Sequence, residues 1–391
     1  MKRFNEDKSL KKQRFKKKLC IFTFILAIFG IFFLYLNTYD FDDNSMDNAT
    51  RAYVDGEYSK TIPGKNDGYV VEKVVCDNGT VGEWDSDKWG LFTTNMTQKS
   101  RCNIYFETIK TYLIDTIEEK SNDANTFAND DPDNNIRYIG ANPNNYVYFN
   151  CSDYSNQSDS TCEKWRIIGI FNNVAKSDGT KENLIKIIKD ESIADTAWDS
   201  NNVNDWSTAS LQQNLNGGAY YNTTLKNDAT RNAIESVIWN LGGISSATAL
   251  KKALTKNFYE YENGDNVYST HATTWTGKIA LMYPSDYGYA TAGGSTTKRL
   301  TCLSTALFSW SGSTYSDCKD NNYLFNGDFQ WLLAPYSATD DASLVLSDSG
   351  YVIFNTSYTL YTVRPVLYFK SNVTVKSGDG SSNSPYQLGI K

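Results

Sequence analysis

The feature that constrains this chain most is an uncharged apolar run near its start. Leu19 to Leu36 reads LCIFTFILAIFGIFFLYL, and thirteen of its eighteen residues are Leu, Ile or Phe. Together these side chains favour the bilayer by roughly 6 kcal/mol. A helix of this length spans about 27 Å, which matches the hydrocarbon core of a membrane. The run therefore predicts a transmembrane helix over Leu19–Leu36, with the lipid bilayer as its partner.

The charges on the two sides of this run are unequal. Residues 1–18 carry nine Lys/Arg and two acidic residues, and since the whole chain has a net charge of −7, the remainder carries −14. Cations beside a membrane helix stay on the cytoplasmic side. This predicts a cytoplasmic tail over 1–18 and a single-pass cell-membrane protein with an extracellular C-terminal ectodomain. A cleavable signal peptide is the alternative, although no small-residue cleavage site follows Leu36.

The acidic ectodomain also bears on the choice of partner. Binding to nucleic acid needs clustered Lys and Arg to neutralise phosphates. The only dense basic segment, residues 1–18, is predicted to lie beside the membrane. We therefore expect no nucleic-acid partner.

Six cysteines outside the apolar run fall into three sequential pairs. The nearest neighbours are Cys76 with Cys102, Cys151 with Cys162, and Cys302 with Cys318. No CxxC occurs, and the single histidine, His271, has no cysteine neighbour, so no metal site is predicted. Outside the cell, disulfides between nearest neighbours are the natural interpretation. Six cysteines allow fifteen pairings, and buried thiols remain an alternative.

Composition divides the rest of the chain into five segments. They are a stalk (37–52), a small disulfide-linked β module (53–106), a helix (107–120), an Asn- and Asp-rich linker (121–135) and a head domain (136–391). The head has β-branched and aromatic runs at both ends, which are typical of strands. Two helices are predicted between them, at 208–215 and 228–240, from apolar residues at three- and four-residue spacing. The predicted fold class is α+β with antiparallel strands.

Motifs along the head carry a resemblance to a known family. They are RYIGANPNNYVYFN, EKWRIIGIF, WSTASLQQNLNGGAYY, GKIALMYPSDYGYAT, WLLAPYS, VRPVLYFKSNV and SGDGSSNSPYQLGI. Together they resemble uncharacterised membrane-anchored surface proteins of low-GC Firmicutes. Their C-terminal domain of unknown function is similar to the formylglycine-generating-enzyme/C-type-lectin topology. The resemblance covers about two thirds of the chain and implies a C-type-lectin-like head with a looped antiparallel sheet and two helices.

The head departs from that topology's known chemistry. Cys302 and Cys318 do not lie in the sequence context of the enzymes' reactive cysteine pair, and the calcium signature of the lectins is not apparent. Acidic clusters such as Asp130–Asn134 do not follow an EF-hand loop either. No cofactor and no metal is therefore expected.

Candidate site residues come from aromatic and acidic side chains in polar surroundings. His271 has no GxSxG motif with it, so no catalytic residue is assigned. The candidate ligand-binding residues are Trp198, Trp206, Trp275, Trp310, Tyr336, Asp340 and Asp341. Aromatic faces and loop carboxylates are common at binding surfaces. Packing in the core, for the tryptophans, and solvated turns, for the acids, are the alternatives.

These observations predict a membrane-anchored extracellular protein that binds a ligand or adheres to a surface. The head would recognise a glycan or a protein through its loops. One alternative is an extracellular carboxylate-dependent hydrolase. Another is a non-catalytic scaffold of a cell-envelope assembly.

Overall fold

The structure, a computed structural model, describes residues 49–96 and 100–390. The chain divides into two compact units after Ile109. The predicted cytoplasmic tail, the predicted transmembrane segment and most of the predicted stalk lie outside the described residues. Within the described ranges, no helix is both long and apolar enough to cross a bilayer.

The smaller unit is built from β-strands. They are β1 (Ala49–Val54), β2 (Glu57–Ser59), β3 (Tyr69–Cys76), β4 (Val81–Asp85), β5 (Gly90–Thr94) and β6 (Arg101–Thr108). Four strands form a sheet in the order β2-β1-β6-β3, in which β1 and β6 run parallel, and β4 pairs with β5 as a separate hairpin. Among its described residues, Ala52, Ile104 and Phe106 form a buried apolar cluster.

The larger unit contains sixteen described strands. They are β7 (Phe127–Ala128), β8 (Ile136–Tyr138), β9 (Tyr146–Phe149), β10 (Glu163–Ala175), β11 (Lys181–Lys189), β12 (Asp195–Thr196), β13 (Val237–Asn240), β14 (Thr274–Gly277), β15 (Ile279–Ala280), β16 (Gln330–Pro335), β17 (Ala342–Leu346), β18 (Val352–Thr356), β19 (Tyr361–Thr362), β20 (Val366–Tyr368), β21 (Thr374–Ser377) and β22 (Gln387–Gly389).

Short helices connect these strands. The α-helices are α1 (Leu113–Lys120), α2 (Ser210–Asn216), α3 (Asp228–Ala233), α4 (Ala247–Leu250), α5 (Thr255–Glu262), α6 (Pro284–Tyr289), α7 (Arg299–Leu303) and α8 (Ser316–Asp320). A π-helical turn covers Tyr220–Thr224, and 3₁₀ turns cover Leu307–Ser309 and Ser313–Tyr315.

The main sheet has the strand order β15-β20-β11-β10-β8-β7, and β9 pairs with β10. The interior strands β10 and β11 consist largely of apolar side chains that are buried, as expected for strands covered on both faces. Gly169 on β10 lets β8 lie close beside it, because a Cβ at this position would overlap the Ile136 carbonyl oxygen. This close approach sets the position of β8.

A second sheet has the order β12-β19-β16-β17-β18, and every residue of β16 and β17 is buried. Two further ribbons, β13–β14 and β21–β22, complete the larger unit. The apolar cores of these layers merge into one large buried cluster. Helices α5 and α6 belong to the same unit, and the last residue of α5, Glu262, is buried.

The predicted fold class is wrong. The described residues form mostly β-sheet with several short helices, and neither a C-type-lectin-like topology nor a two-helix α+β head is found. The predicted helix at 228–240 ends at Ala233, and residues 237–240 form β13 instead. Val237 and Trp239 are buried whereas Ile238 is exposed, which is the period of two of a strand. The few apolar residues between 228 and 240 fit the period of a helix as well as that of a strand. Pairing with β14 makes residues 237–240 a strand.

Three disulfides are present in the described residues. Each joins nearest neighbours along the chain: Cys76 to Cys102, Cys151 to Cys162, and Cys302 to Cys318. In the smaller unit, Cys76 and Cys102 are also directly paired residues of β3 and β6. The predicted disulfides are thus confirmed.

Candidate functional site

A cavity of about 270 Å³ lies in the larger unit. Strands β8, β10, β11, β13 and β20 and helices α5 and α6 contribute to its wall. Polar and aromatic side chains line its rim: Asp133, Asn173, Lys181, Asn240, Tyr259 and Asn263. Buried charged side chains form its floor. We refer to this cavity as the cleft.

The floor holds a cation between two carboxylates. Arg137 on β8 donates from Nε to Asp131 Oδ2 at 2.6 Å and from Nη1 to Asp286 Oδ1 at 2.9 Å. All three side chains are at most 2% exposed. Although burial alone disfavours the charge, the carboxylates of Asp286 and Asp131 hold the pKa of Arg137 above its usual range. The guanidinium therefore stays charged inside the protein.

A second cation reaches the same carboxylate. Lys186 on β11 donates from Nζ to Asp286 Oδ2 at 2.5 Å, and the two side chains are 0% and 1% exposed. Burial lowers the pKa of Lys186, and Asp286 offsets part of this effect. Burial raises the pKa of Asp286, but Lys186 and Arg137 outweigh it and hold that pKa below its usual range. Asp286 is thus the shared acceptor of two buried cations.

Aromatic rings surround the Lys186 ammonium group. The distances from Nζ to the ring centroids are 4.5 Å for Tyr283, 4.9 Å for Phe171, and 5.6 Å for both Trp239 and Tyr368. Cation–π attraction over such distances offsets part of the cost of removing the charge from water. The rings also limit the access of water to Nζ.

A third acid completes this arrangement. Glu262, the last residue of α5, accepts a hydrogen bond from the backbone N–H of Ser285 at 2.9 Å and another from the Ser285 hydroxyl. Burial raises the pKa of Glu262 to about 8. Its carboxyl group therefore carries a proton at neutral pH. Arg137, Lys186, Asp131, Asp286 and Glu262 are together called the charge cluster.

The start of α6 places Asp286 at this position. Pro284 is the first residue of the helix, where the fixed backbone of proline is tolerated. Asp286, two residues later, accepts a hydrogen bond from the Tyr283 backbone N–H at 3.0 Å. An acidic side chain in the first turn satisfies an otherwise unpaired donor of the helix.

Hydrogen bonds between side chains organise the rim. Tyr259 donates from its hydroxyl to Asp133 Oδ2 at 2.5 Å and accepts from Asn135 Nδ2 at 3.3 Å. The Asn240 amide donates to the Asn263 side-chain oxygen. Burial raises the pKa of Tyr259 well above its usual range, and the neighbouring Asp133 adds to this effect. The rim therefore combines a neutral phenol, amides and a carboxylate.

The tryptophans proposed from the sequence lie elsewhere. Trp198, Trp206 and Trp310 are at most 1% exposed, so the structure places them in the core instead of at a binding surface. Trp275 is half-buried on β14 and pairs with Trp239 across the β13–β14 ribbon. Trp206 connects two of the others, with ring centroids 5.1 Å from Trp198 and 6.3 Å from Trp275.

The other three proposed residues are close together on one loop between β16 and β17. Tyr336 stacks on Phe354 with ring centroids 4.0 Å apart. Asp340 is exposed and Asp341 half-buried, and their backbone carbonyls accept hydrogen bonds from the N–H groups of Asn204 and Ser357. None of the three residues lines the cleft.

Sequence reasoning missed the charge cluster. One signal was available: Lys186 interrupts the apolar run Leu184–Ile188, where a charged side chain must be buried and paired. Arg137 also precedes Tyr138 and Ile139, and Asp286 lies three residues after the apolar run Ile279–Tyr283. Their meeting depends on sheet order, which no local pattern encodes.

Metal binding has no support in the described part of the chain, where no group of three or more His, Cys, Asp or Glu side chains is arranged to hold an ion. In the acidic segment 130–134, Asp130 pairs with Arg299 at 2.7 Å.

Comparison with known proteins adds no relative: no protein-family model matches the chain, and neither a curated protein nor a solved structure matches it.

Proposed function

We propose that this chain is an extracellular surface protein whose larger unit binds a small polar ligand of the saccharide type in the cleft. The composition of the cleft is the observation that supports this proposal, because aromatic rings, amides and carboxylates line one concavity. Binding sites with these features hold ligands by packing against rings and by a few directed hydrogen bonds. A volume of about 270 Å³ favours a ligand of one or two sugar rings over a protein segment.

The extracellular location is part of this proposal. Three disulfides support it, since such cross-links persist in oxidising compartments and are rare in the cytosol. Contact with the bilayer through Leu19–Leu36 is the remaining element, and it rests on the sequence alone. Protease treatment of intact cells tests the location. Digestion of the 110–391 unit without cell lysis is expected, and its protection until lysis would contradict the proposal.

Ligand binding is tested by screening mono- and disaccharides against the full chain by calorimetry. For a saccharide that binds, Tyr259→Phe and Asn240→Ala are expected to weaken binding about tenfold each, which corresponds to the loss of one well-placed polar contact. The matched control is Asp340→Ala, which alters the loop proposed from the sequence and leaves the cleft intact. Weaker binding by the control alone would move the site to the β16–β17 loop. No binding across the screen would refute the proposal.

A second candidate function is an extracellular carboxylate-dependent hydrolase, and Glu262 is the observation that favours it. A carboxyl group with a pKa of about 8 is protonated at neutral pH, as a general acid must be. Both Glu262 oxygens accept hydrogen bonds from Ser285, however, which occupies the group in the ligand-free protein. Release of new reducing ends from a bound oligosaccharide, abolished by Glu262→Gln, would establish hydrolysis. An unchanged saccharide after prolonged incubation would exclude it for that substrate.

A further inference from the structure

The contact between Lys186 and Asp286 has the features of a reacting pair. Nζ lies 2.5 Å from Oδ2, and both side chains are buried completely or almost completely. From this geometry we infer that Lys186 and Asp286 condense to an intramolecular isopeptide bond, a covalent cross-link between β11 and α6. The inference does not depend on what the cleft binds.

The condensation needs no partner from outside the protein. The neutral Lys186 amine attacks Cγ of the protonated Asp286 carboxyl group, and an Nζ–Cγ bond forms. The Cγ–Oδ2 bond then breaks, and Oδ2 leaves as water with the acid's own proton and one proton from Nζ. The product is a secondary amide. No atom is oxidised or reduced, so neither an oxidant nor a reductant is required.

The charges of the surroundings allow the neutral pair to form. Glu262 is protonated, so Arg137 and Lys186 are balanced by Asp131 and Asp286. Transfer of a proton from Lys186 to Asp286 therefore leaves the net charge of the charge cluster unchanged. Burial disfavours the ammonium form of Lys186, which raises the share of the nucleophilic amine. The ion pair remains the main form because of Arg137, but the reaction has to occur only once in each molecule.

Neighbouring groups fit the steps of this reaction. Arg137 Nη1 donates to Asp286 Oδ1, the oxygen that becomes negatively charged when the amine adds to Cγ. Asp286 contributes to the raised pKa of Glu262, and we assign to the protonated Glu262 carboxyl group the relay of a proton from Nζ to Oδ2. Arg137 thus positions the Asp286 carboxyl group and stabilises the negative charge on Oδ1. Glu262 is assigned the transfer of the proton.

Burial also explains why the product would persist. The aromatic rings around Nζ keep water from the amide, and hydrolysis would need that water. The amide replaces two buried charges whose removal from water is costly. It connects residues 100 positions apart in the sequence and thereby ties the main sheet to α6.

Mass spectrometry of the full chain tests the inference directly. After denaturation and reduction of the disulfides, the intact protein is expected to be lighter than its sequence by one water. Tryptic digestion is expected to leave Lys186 uncut and to yield peptide 182–189 joined to peptide 279–298. A mass equal to that of the sequence, together with cleavage after Lys186, would overturn the inference.

Substitutions distinguish the two residues that form the bond from the residue that assists its formation. Lys186→Met and Asp286→Ala are expected to restore the full sequence mass, and Glu262→Gln to leave most molecules uncondensed. A matched internal control is the pair of Lys176 and Glu182, which are 2.8 Å apart but 16% and 35% exposed. Because water solvates that pair, no linked peptide containing it is expected. Linked peptides from both pairs in equal amount would show that proximity alone, in sample preparation, produced the bond.

Discussion

Arg137 on β8 and Asp286 on α6 are 149 residues apart in the sequence and form a buried ion pair, with Nη1 2.9 Å from Oδ1. The pair connects the main sheet to a helix that also carries Ser285, the donor to Glu262. Asp131 holds the other side of the guanidinium. Structure and candidate chemistry in the cleft therefore depend on the same few side chains.

Replacing Arg137 by Met is expected to lower the free energy of unfolding by about 3 to 5 kcal/mol. The loss arises because the Asp131 carboxylate remains buried without its cation, and Asp286 keeps only one of its two. Urea denaturation of the full chain, followed by tryptophan fluorescence, measures it. The matched control is Lys256→Met, since the exposed Lys256–Glu260 pair contributes at most about 0.5 kcal/mol. A similar small effect for both variants would mean that Arg137 is dispensable for folding.

Glu262 makes stability depend on pH in a definite direction. Its folded pKa of about 8 is above its ordinary value of 4.5, so the folded protein holds this proton more tightly than the unfolded chain. The stabilisation is complete below pH 4.5 and is lost as the pH rises through 8. The free energy of unfolding should therefore fall by up to about 1.4 kcal/mol per pH unit between these values. Glu262→Gln should remove this slope, and parallel pH profiles for the two proteins would contradict the assignment.

Trp206 is expected to act on stability and not on ligand binding. Its side chain is 1% exposed and packs between two other tryptophans. Trp206→Ala should cost about 3 to 5 kcal/mol in unfolding free energy because it opens a large cavity. Tyr358→Ala, at a residue 58% exposed, should change stability by less than about 0.5 kcal/mol. Any saccharide affinity should be unchanged in molecules of Trp206→Ala that remain folded.

The smaller unit is expected to depend on its disulfide more than the larger unit does. In the part of this unit that the structure describes, the buried apolar cluster has three members, and Cys76–Cys102 closes a loop with a sequence separation of 26. Replacing both cysteines by Ala should remove about 3 to 4 kcal/mol, which exceeds what so small a core can lose. Hydrogen exchange should then show residues 49–109 unprotected. The matched control is the Cys151→Ala, Cys162→Ala double variant, which should leave the hydrogen exchange of residues 49–109 unchanged. Protection of these residues in both double variants would contradict the prediction.

Local features of this fold were predictable from the sequence, and long-range features were not. Nearest-neighbour cysteine pairing is local, and so are the apolar runs that form β10 and β11. The apolar residues between 228 and 240 fitted a helix until β14 paired with Val237–Asn240. Short quoted motifs likewise do not specify strand order, which explains why the lectin-like topology was wrong.

The candidate site shows the same limit. Trp198, Trp206 and Trp310 lie among Ser, Thr, Asp and Asn in the sequence, which suggested exposure, but their neighbours in space are apolar. Lys186 looked like an ordinary strand residue. Its importance depends on Asp286, and that contact forms only when the sheet, α5 and α6 come together.

The position of strand β20 in the main sheet limits when the larger unit can finish folding. Val366–Tyr368 lies between β11 and β15 in the main sheet, although it is synthesised long after both of them. A ribosome that still holds residue 366 leaves both neighbouring strands with unpaired edges. The larger unit therefore reaches its final form only after residues 366–368 have been released, and a nascent chain stays open until then.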